Sequence, residues 1–405
     1  MHCRPSHEDN YRFIPNRASS SLHLQGELAQ SSGFSFLLRA QLFGDHWKSP
    51  RLKYSSRQPN REKENLPCPI MESTVSSPLP DFQRILPKLP YKVLDAPKLL
   101  DDFYVNVLDW SSRDWLAVGL TSEVYLWNAK TTEVMRLAYY ARTHVTSLAW
   151  DRSGNTLAVG LDTGKVQVFD LEKLQLIRDL AGHASRVGVL DWGPVVLSSA
   201  GKDRKIIHRD LRESKDFLVS LFAHRQEVCG LKWAPDGQQL ASGGNDNRVK
   251  IWSLHRNFPV TRLDQHTAAV KALAWSPHQH GLLATGGGTA DRSIRLWNTL
   301  DESSLVHTET QGQVCSLLFS RNTNELVSVH GYCVNQVLLW KSPSLSRMGV
   351  LTGHTNRVLY MSLSADGSNL VTGAGDETLR FWRLFPIRDT QEGPSELDLS
   401  FGELR

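Results

Sequence analysis

From residue 109 onward the chain repeats itself seven times. Asp109-Trp110, Ala149-Trp150, Asp191-Trp192, Lys232-Trp233, Ala274-Trp275, Leu318-Phe319 and Ser362-Leu363 each close an apolar run, and successive anchors lie 40, 42, 41, 42, 44 and 44 residues apart. A second series, Trp127, Phe169, Arg209, Trp252, Trp297, Trp340 and Trp382, closes each unit. A unit of this length cannot bury its apolar face alone, so the chain has to stack its units on one another. The runs between anchors are short and strand-like. VTSLAW (145–150), TLAVGL (156–161) and KVQVFD (165–170) are β-branched and aromatic, and SGN and DTG turns part them.

A period of 40–45 residues that starts with Gly-His and ends near Trp-Asp is the pattern of a WD-repeat propeller blade. Gly-His is explicit at Gly182-His183 and Gly353-His354, and weaker at Ala223-His224 and Gln265-His266. The expected fold is therefore all-β, a seven-bladed WD-repeat β-propeller with four strands per blade. Inside the blades, His224, Ser242, Asp246 and Trp252 are spaced 18, 4 and 6 apart, and His354, Thr372, Asp376 and Trp382 repeat those spacings. His266, Thr285, Asp291 and Trp297 follow with small insertions. A His–Ser/Thr–Asp set resembles a catalytic cluster, but a catalytic site occurs once and this set recurs, which points to polar groups satisfied between strands. After Trp382 the chain reads RLFPIRDTQEGPSE, without a strand pattern, so the last blade lacks its outer strand. Residues 91–94 can supply it and close the ring, which protects the sheet edge and places Asp95 beside blade seven.

Residues 1–90 differ from the rest. They hold 12 Lys/Arg against 8 Asp/Glu, 10 of the 18 prolines and one of the 12 tryptophans, and so bury too little apolar surface to offset their ordering entropy. The expected organisation is a disordered arm at 1–90, the propeller at 91–385 and a flexible tail at 386–405. Beyond the arm, Lys/Arg and Asp/Glu balance, which argues against a nucleic-acid partner. The five cysteines form no CxxC pair, which fits a reducing compartment and no structural zinc. No apolar stretch approaches a membrane span, and MHCRPSHEDN has no signal-peptide core. GGGTAD (286–291) is glycine-rich but sits between strands, so it lacks the context of a phosphate loop. With no isolated nucleophile–base pair and no metal-ligand spacing, an enzyme is not expected, and neither is a metal or a cofactor.

The strings KVLDAPKLLDDFYVNVLDWSS (92–112), HRQEVCGLKWAPDG (224–237), ASGGNDN (241–247), SPHQHGLLATGGGTADR (276–292) and GAGDETLRFW (373–382) resemble the Fizzy/Fizzy-related family, with a lean toward its Fizzy-related branch. That resemblance implies a substrate-recruiting activator of the anaphase-promoting complex, a ubiquitin ligase, acting in the nucleus and cytoplasm during mitosis or meiosis. Tyr11-Arg12-Phe13-Ile14-Pro15-Asn16-Arg17 resembles the family's C-box, in which Arg12 and Arg17 would pair with carboxylates while Phe13, Ile14 and Pro15 fill a groove. FSFLLRAQLFG (34–44) resembles a second docking segment, and Leu404-Arg405 stands where the family has an Ile-Arg tail. Lys63-Glu64-Asn65 reads as the protein's own KEN-box degron, and Ser49 and Ser77, each followed by proline, as sites for proline-directed kinases.

The resemblance also implies two receptors for degrons of substrates such as cyclins. A KEN-box receptor would use Asp102, Asn245, Asn247, Thr289, Gln313 and Arg357, with Asp102 pairing a lysine and Arg357 a glutamate. A destruction-box receptor would use Asp95 and Glu377 around the degron's arginine, with Leu94 offering apolar surface to its leucine. A second reading is a generic WD-repeat scaffold that has lost ligase docking. It rests on Tyr11, where the family usually has Asp, and on Leu404 in place of Ile.

Overall fold

The computed structural model describes residues 84, 86–213, 219–332 and 334–386. The chain divides into two units, Leu86–Arg405 with Met1–Arg17, and Ala18–Ile85; of the second only Arg84 is described. Among the described residues all regular structure is β: 28 strands, β1–β28 in chain order, form seven four-stranded sheets. Each sheet is one sequence repeat, displaced by one strand.

The two anchor series occupy fixed places. The first ends the first strand of each blade: β2 (Leu108–Trp110), β6 (Val145–Trp150), β10 (Val189–Trp192), β14 (Val228–Trp233), β18 (Val270–Trp275), β22 (Gln313–Phe319) and β26 (Val358–Leu363). These strands pack on one another around the axis and line a cavity of about 610 Å³. Flanked by neighbours on both faces, β6, β18 and β26 are buried along their whole length, whereas the outer strand β9 (Gln175–Leu180) is mostly exposed. Three anchor indoles donate to the backbone of the preceding blade: Trp150 Nε1 to Asp109 O (3.2 Å), Trp192 Nε1 to Ala149 O (3.0 Å) and Trp275 Nε1 to Lys232 O (2.9 Å).

The second series sits in the third strands, among them β12 (Lys205–Arg209), β16 (Val249–Ser253), β20 (Ser293–Asn298) and β28 (Thr378–Arg383). In blade 4, His224 Nδ1 meets Asp246 Oδ1 at 2.9 Å, His224 Nε2 meets Ser242 Oγ at 2.8 Å, and Trp252 Nε1 donates to that same hydroxyl at 2.8 Å. Blades 5 and 7 repeat the chain through His266–Thr285–Trp297 and His354–Thr372–Trp382. Blade 3 keeps His183, Ser199 and Asp203 but puts Arg209 where the tryptophan stands elsewhere. Arg209, 1% exposed, donates to Ser199 Oγ and to Ala181 O. A guanidinium can replace an indole here because both bring an N–H to the hydroxyl at the end of a long flat side chain.

The ring closes as its ends require. β1 (Lys92–Asp95) is the outer strand of blade 7, in the order β1-β28-β27-β26 with β27 spanning Asn369–Ala374. It pairs antiparallel to β28 through Lys92↔Phe381, Val93↔Arg380, Leu94↔Leu379 and Asp95↔Thr378. The strand runs one residue later than the expected 91–94. The Ala96 N–H donates to Glu377 O (2.8 Å), which keeps Asp95 in the ladder before Pro97 ends it.

Candidate functional site

The face where the first strands begin is the face where the second strands end, because each pair is antiparallel. Asn245 and Asn247 follow β15 (Gln239–Gly244), Thr289 follows β19 (Leu282–Gly287), Gln313 opens β22 and Arg357 precedes β26. The structure therefore puts five of the six expected KEN-receptor residues on one face. Asp102 reaches that face by another route.

Residues 96–107, between β1 and β2, run across the axis. Leu99, Phe103, Val105 and Val107 are buried beneath the segment. Its polar groups reach several blades. Asn106 bridges to Ser147 of blade 2, and its N–H donates to Thr146 O at 3.0 Å. Tyr104 Oη donates to Asn245 Oδ1 of blade 4 at 3.1 Å. Lys271 Nζ of blade 5 donates to Val105 O at 2.9 Å, and its ammonium lies 5.5 Å from the Phe103 ring and 5.3 Å from the Tyr360 ring. Tyr360 Oη of blade 7 donates to Leu100 O at 2.6 Å. Burial pushes the Lys271 ammonium down to about 8. A β-bulge at Lys271, between Val270 and Ala272, interrupts the ladder at this point.

Two links join four of the six expected residues, Asp102 to Asn245 and Gln313 to Arg357, and leave Asn247 and Thr289 apart. Asp102 Oδ2 meets Arg186 Nη1 at 3.0 Å, and Arg186 is held by Glu227 at 2.8 and 3.1 Å. Asn245 belongs to the same cluster through Tyr104, through its own N–H to Glu227 O (2.8 Å), and through Nδ2 to Gln226 Oε1 (2.8 Å). Gln313 and Arg357 flank Gly331, where an added Cβ would lie 3.0 Å from Arg357 Cβ and 3.5 Å from Gln313 Oε1. Arg357 ion-pairs with Asp101 and donates from Nη2 to Asp101 O at 2.6 Å and from Nη1 to Tyr332 Oη at 2.8 Å. Gln313 is 5% exposed, and among the described residues its Oε1 has no donor. A buried acceptor without a donor is costly. Asn247, at φ 63°, donates from Nδ2 to Thr267 O at 2.9 Å, so it shapes its turn as well as facing outward. Thr289 is exposed on the same face.

The second expected site lies at the closure of blade 7. Asp376 turns inward to His354 (3.0 Å) and Thr378 (2.7 Å), while Glu377, at φ 57°, is exposed next to the end of β1. Asp95, half-buried, stands one residue before Ala96, whose N–H binds Glu377 O. The two carboxylate-bearing residues thus share one corner of the blade. One expectation fails there: Leu94 is 2% exposed and belongs to the core, because alternation along β1 sends it toward blade 1. It offers no apolar surface.

Arg12, Phe13, Ile14, Pro15, Arg17, Ser49, Lys63, Glu64, Asn65, Ser77, Leu404 and Arg405 lie outside the described residues. Tyr104, Arg186 and Glu227 were not foreseen as part of the site. One signal was available: the apolar alternation Phe103, Val105, Val107 marks 103–107 as packed rather than free linker.

Among known proteins, the CDC20/Fizzy WD40 domain model matches residues 94–382. The B-type cell cycle switch protein ccs52A of Medicago truncatula is 47% identical, over 96% of this chain and 88% of its own. Meiotic fizzy-related protein 1 of Schizosaccharomyces pombe is 44% identical over 96% of each chain. The anaphase-promoting complex subunit cdh1 of Dictyostelium discoideum is 44% identical over 86% of this chain and 52% of its own. A chain in a crystal structure of the mitotic checkpoint complex superposes with a TM-score of 0.74 at 39% identity, covering 84% of this chain and 100% of that one. On that match over most of its length, the chain belongs to the CDC20/Fizzy family of WD-repeat propellers, alongside its Fizzy-related members.

Proposed function

We propose that this protein is a non-catalytic, substrate-recruiting activator of the anaphase-promoting complex. It binds KEN-box and destruction-box degrons of substrates such as cyclins and promotes their ubiquitin-dependent proteolysis in mitosis or meiosis, in nucleus and cytoplasm. The observation that carries this reading is the face around residues 96–107. A carboxylate from the segment and amide and guanidinium groups from separate blades lie together on that face. A short peptide with a lysine, a glutamate and an asparagine matches that set group for group. The corner holding Asp95 and Glu377 suits one guanidinium, as an RxxL degron would present. Family membership supports the ligase as the partner, and proline-directed kinases acting at Ser49 and Ser77 would regulate it.

Docking on the ligase would be bivalent, through the segment around Arg12 and the Leu404-Arg405 end. Two weak attachments on one chain gain through effective concentration, so losing either one lowers recovery steeply. The test is affinity purification of the tagged full-length chain, with ligase subunits quantified by mass spectrometry. Arg12→Ala and deletion of Leu404 and Arg405 should each reduce recovery by about tenfold or more. Equal recovery from wild type and both variants would favour a scaffold that docks elsewhere or nowhere.

A further inference from the structure

Asp102 is more heavily engaged than a simple partner for a lysine needs to be. Its Oδ1 accepts from the Tyr104 N–H at 2.9 Å, and its Oδ2 accepts from Arg186 Nη1 at 3.0 Å. Arg186 is itself clamped. Its Nε and Nη2 donate to the two oxygens of Glu227 at 2.8 and 3.1 Å, and its guanidinium lies 5.3 Å from the centre of the Tyr104 ring. Tyr104 is fixed in turn by its hydroxyl on Asn245. The side chain of Glu227 is 11% exposed, so Arg186 cannot swing away without leaving a mostly buried carboxylate unpaired. Asp102, with its side chain 35% exposed, therefore meets solvent with one acceptor direction on each oxygen already committed.

That arrangement distinguishes two cationic side chains. An ammonium is a compact point charge and needs one acceptor direction, from almost any angle. A guanidinium gains its full strength from two parallel N–H···O bonds to both oxygens of one carboxylate. At Asp102 the protein's own guanidinium already stands against the carboxylate, and the Tyr104 backbone closes the other side. A second fork finds both oxygens already engaged, and because the like charge of Arg186 opposes either cation, it is this geometry that discriminates.

We propose that Arg186, clamped by Glu227, makes the Asp102 subsite selective for a lysine side chain over an arginine. The proposal rests on the reading of Asp102 as the receptor for a degron lysine. Selectivity here comes from an element that disfavours the wrong ligand as well as one that attracts the right one.

Two fluorescent peptides, identical except for Lys-Glu-Asn against Arg-Glu-Asn, are titrated with the full-length protein and anisotropy is recorded. Wild type should bind the lysine peptide about tenfold tighter or more. Arg186→Met alone leaves Glu227 buried without its partner, so the informative variant is Arg186→Met with Glu227→Gln, which removes both charges together. In that double variant the preference should fall to about twofold or less, because Arg186 no longer stands against Oδ2 and a fork can reach both oxygens of Asp102. Equal binding of the two peptides by wild type overturns the inference. So does a double variant that loses affinity for both peptides equally and keeps their ratio, since Arg186 would then be only a clasp. Failure of wild type to bind either peptide sinks the degron reading itself and this inference with it, an outcome distinct from the other two.

Discussion

The interior of the blades and the face around residues 96–107 are built from the same residue types, and they differ in what is left over. In blade 4, His224 spends both ring nitrogens on Asp246 and Ser242, and Trp252 donates to the same serine. Asp246 also accepts from the Arg225 N–H at 2.9 Å. Burial is the largest single influence and opposes ionisation of Asp246, but the interaction with His224, the Arg225 N–H and the Lys250 charge together outweigh it and hold the carboxyl down at about 2. The side chains of His224 and Asp246 are 0% and 6% exposed, so the network is closed to any ligand. On the face, Asp102 is partly exposed, and Thr289 and Glu377 are exposed. Saturated polar groups hold a fold together, and polar groups with spare capacity recognise something else.

That contrast breaks most sharply at Asp246. Asp246→Ala leaves the His224 ring nitrogen and the Arg225 N–H without their acceptor, at a cost of about 3 kcal/mol. Urea denaturation of the variant should show that loss, while the fraction still folded binds a KEN peptide normally. A variant as stable as wild type would mean that the network is not closed. Below about pH 4 the same group weakens the fold: its folded value lies under the ordinary 3.8, so its contribution is present above that value and is lost as pH falls toward 2.

Charge reversal at the blade 7 corner should have the next largest effect. Asp95→Lys with Glu377→Lys should weaken an RxxL peptide by about a hundredfold while sparing a KEN peptide. Isothermal titration with both peptides separates the outcomes, and joint loss of both would merge the two sites into one.

The smallest effect sharpens the comparison, because Lys271 belongs to both regions: it is buried like the blade networks yet holds the face segment. Its folded value of about 8 lies below the ordinary 10.5, so between those values the unfolded chain binds the extra proton and stability rises with pH. Wild type should therefore gain on the order of 1 kcal/mol over Lys271→Met between pH 7.5 and 9.5. Parallel thermal unfolding at the two pH values measures it, and identical pH profiles would place the ammonium in water.

The sequence alone determined the repeat architecture, because each blade is encoded locally. Trp110, Trp150 and their counterparts end first strands, and Trp127, Trp252 and Trp382 lie in third strands, because anchor spacing, β-branched runs and turn residues all act within one unit. Closure by the segment before Asp95 was legible too, since a blade without an outer strand and a strand without a blade leave one solution. The burial of Leu94 was not, because alternation along a four-residue strand does not say which face meets the core until its partner is placed. Nor was the crossing of the axis by residues 96–107. Asp102 and Arg186 are 84 positions apart, Tyr104 and Asn245 are 141 apart, and Val105 and Lys271 are 166 apart. Those pairs meet only because seven locally encoded sheets close into a ring. That closure brings distant loops to one axis, and there the ion pairs and hydrogen bonds of a segment without repeat pattern are decided.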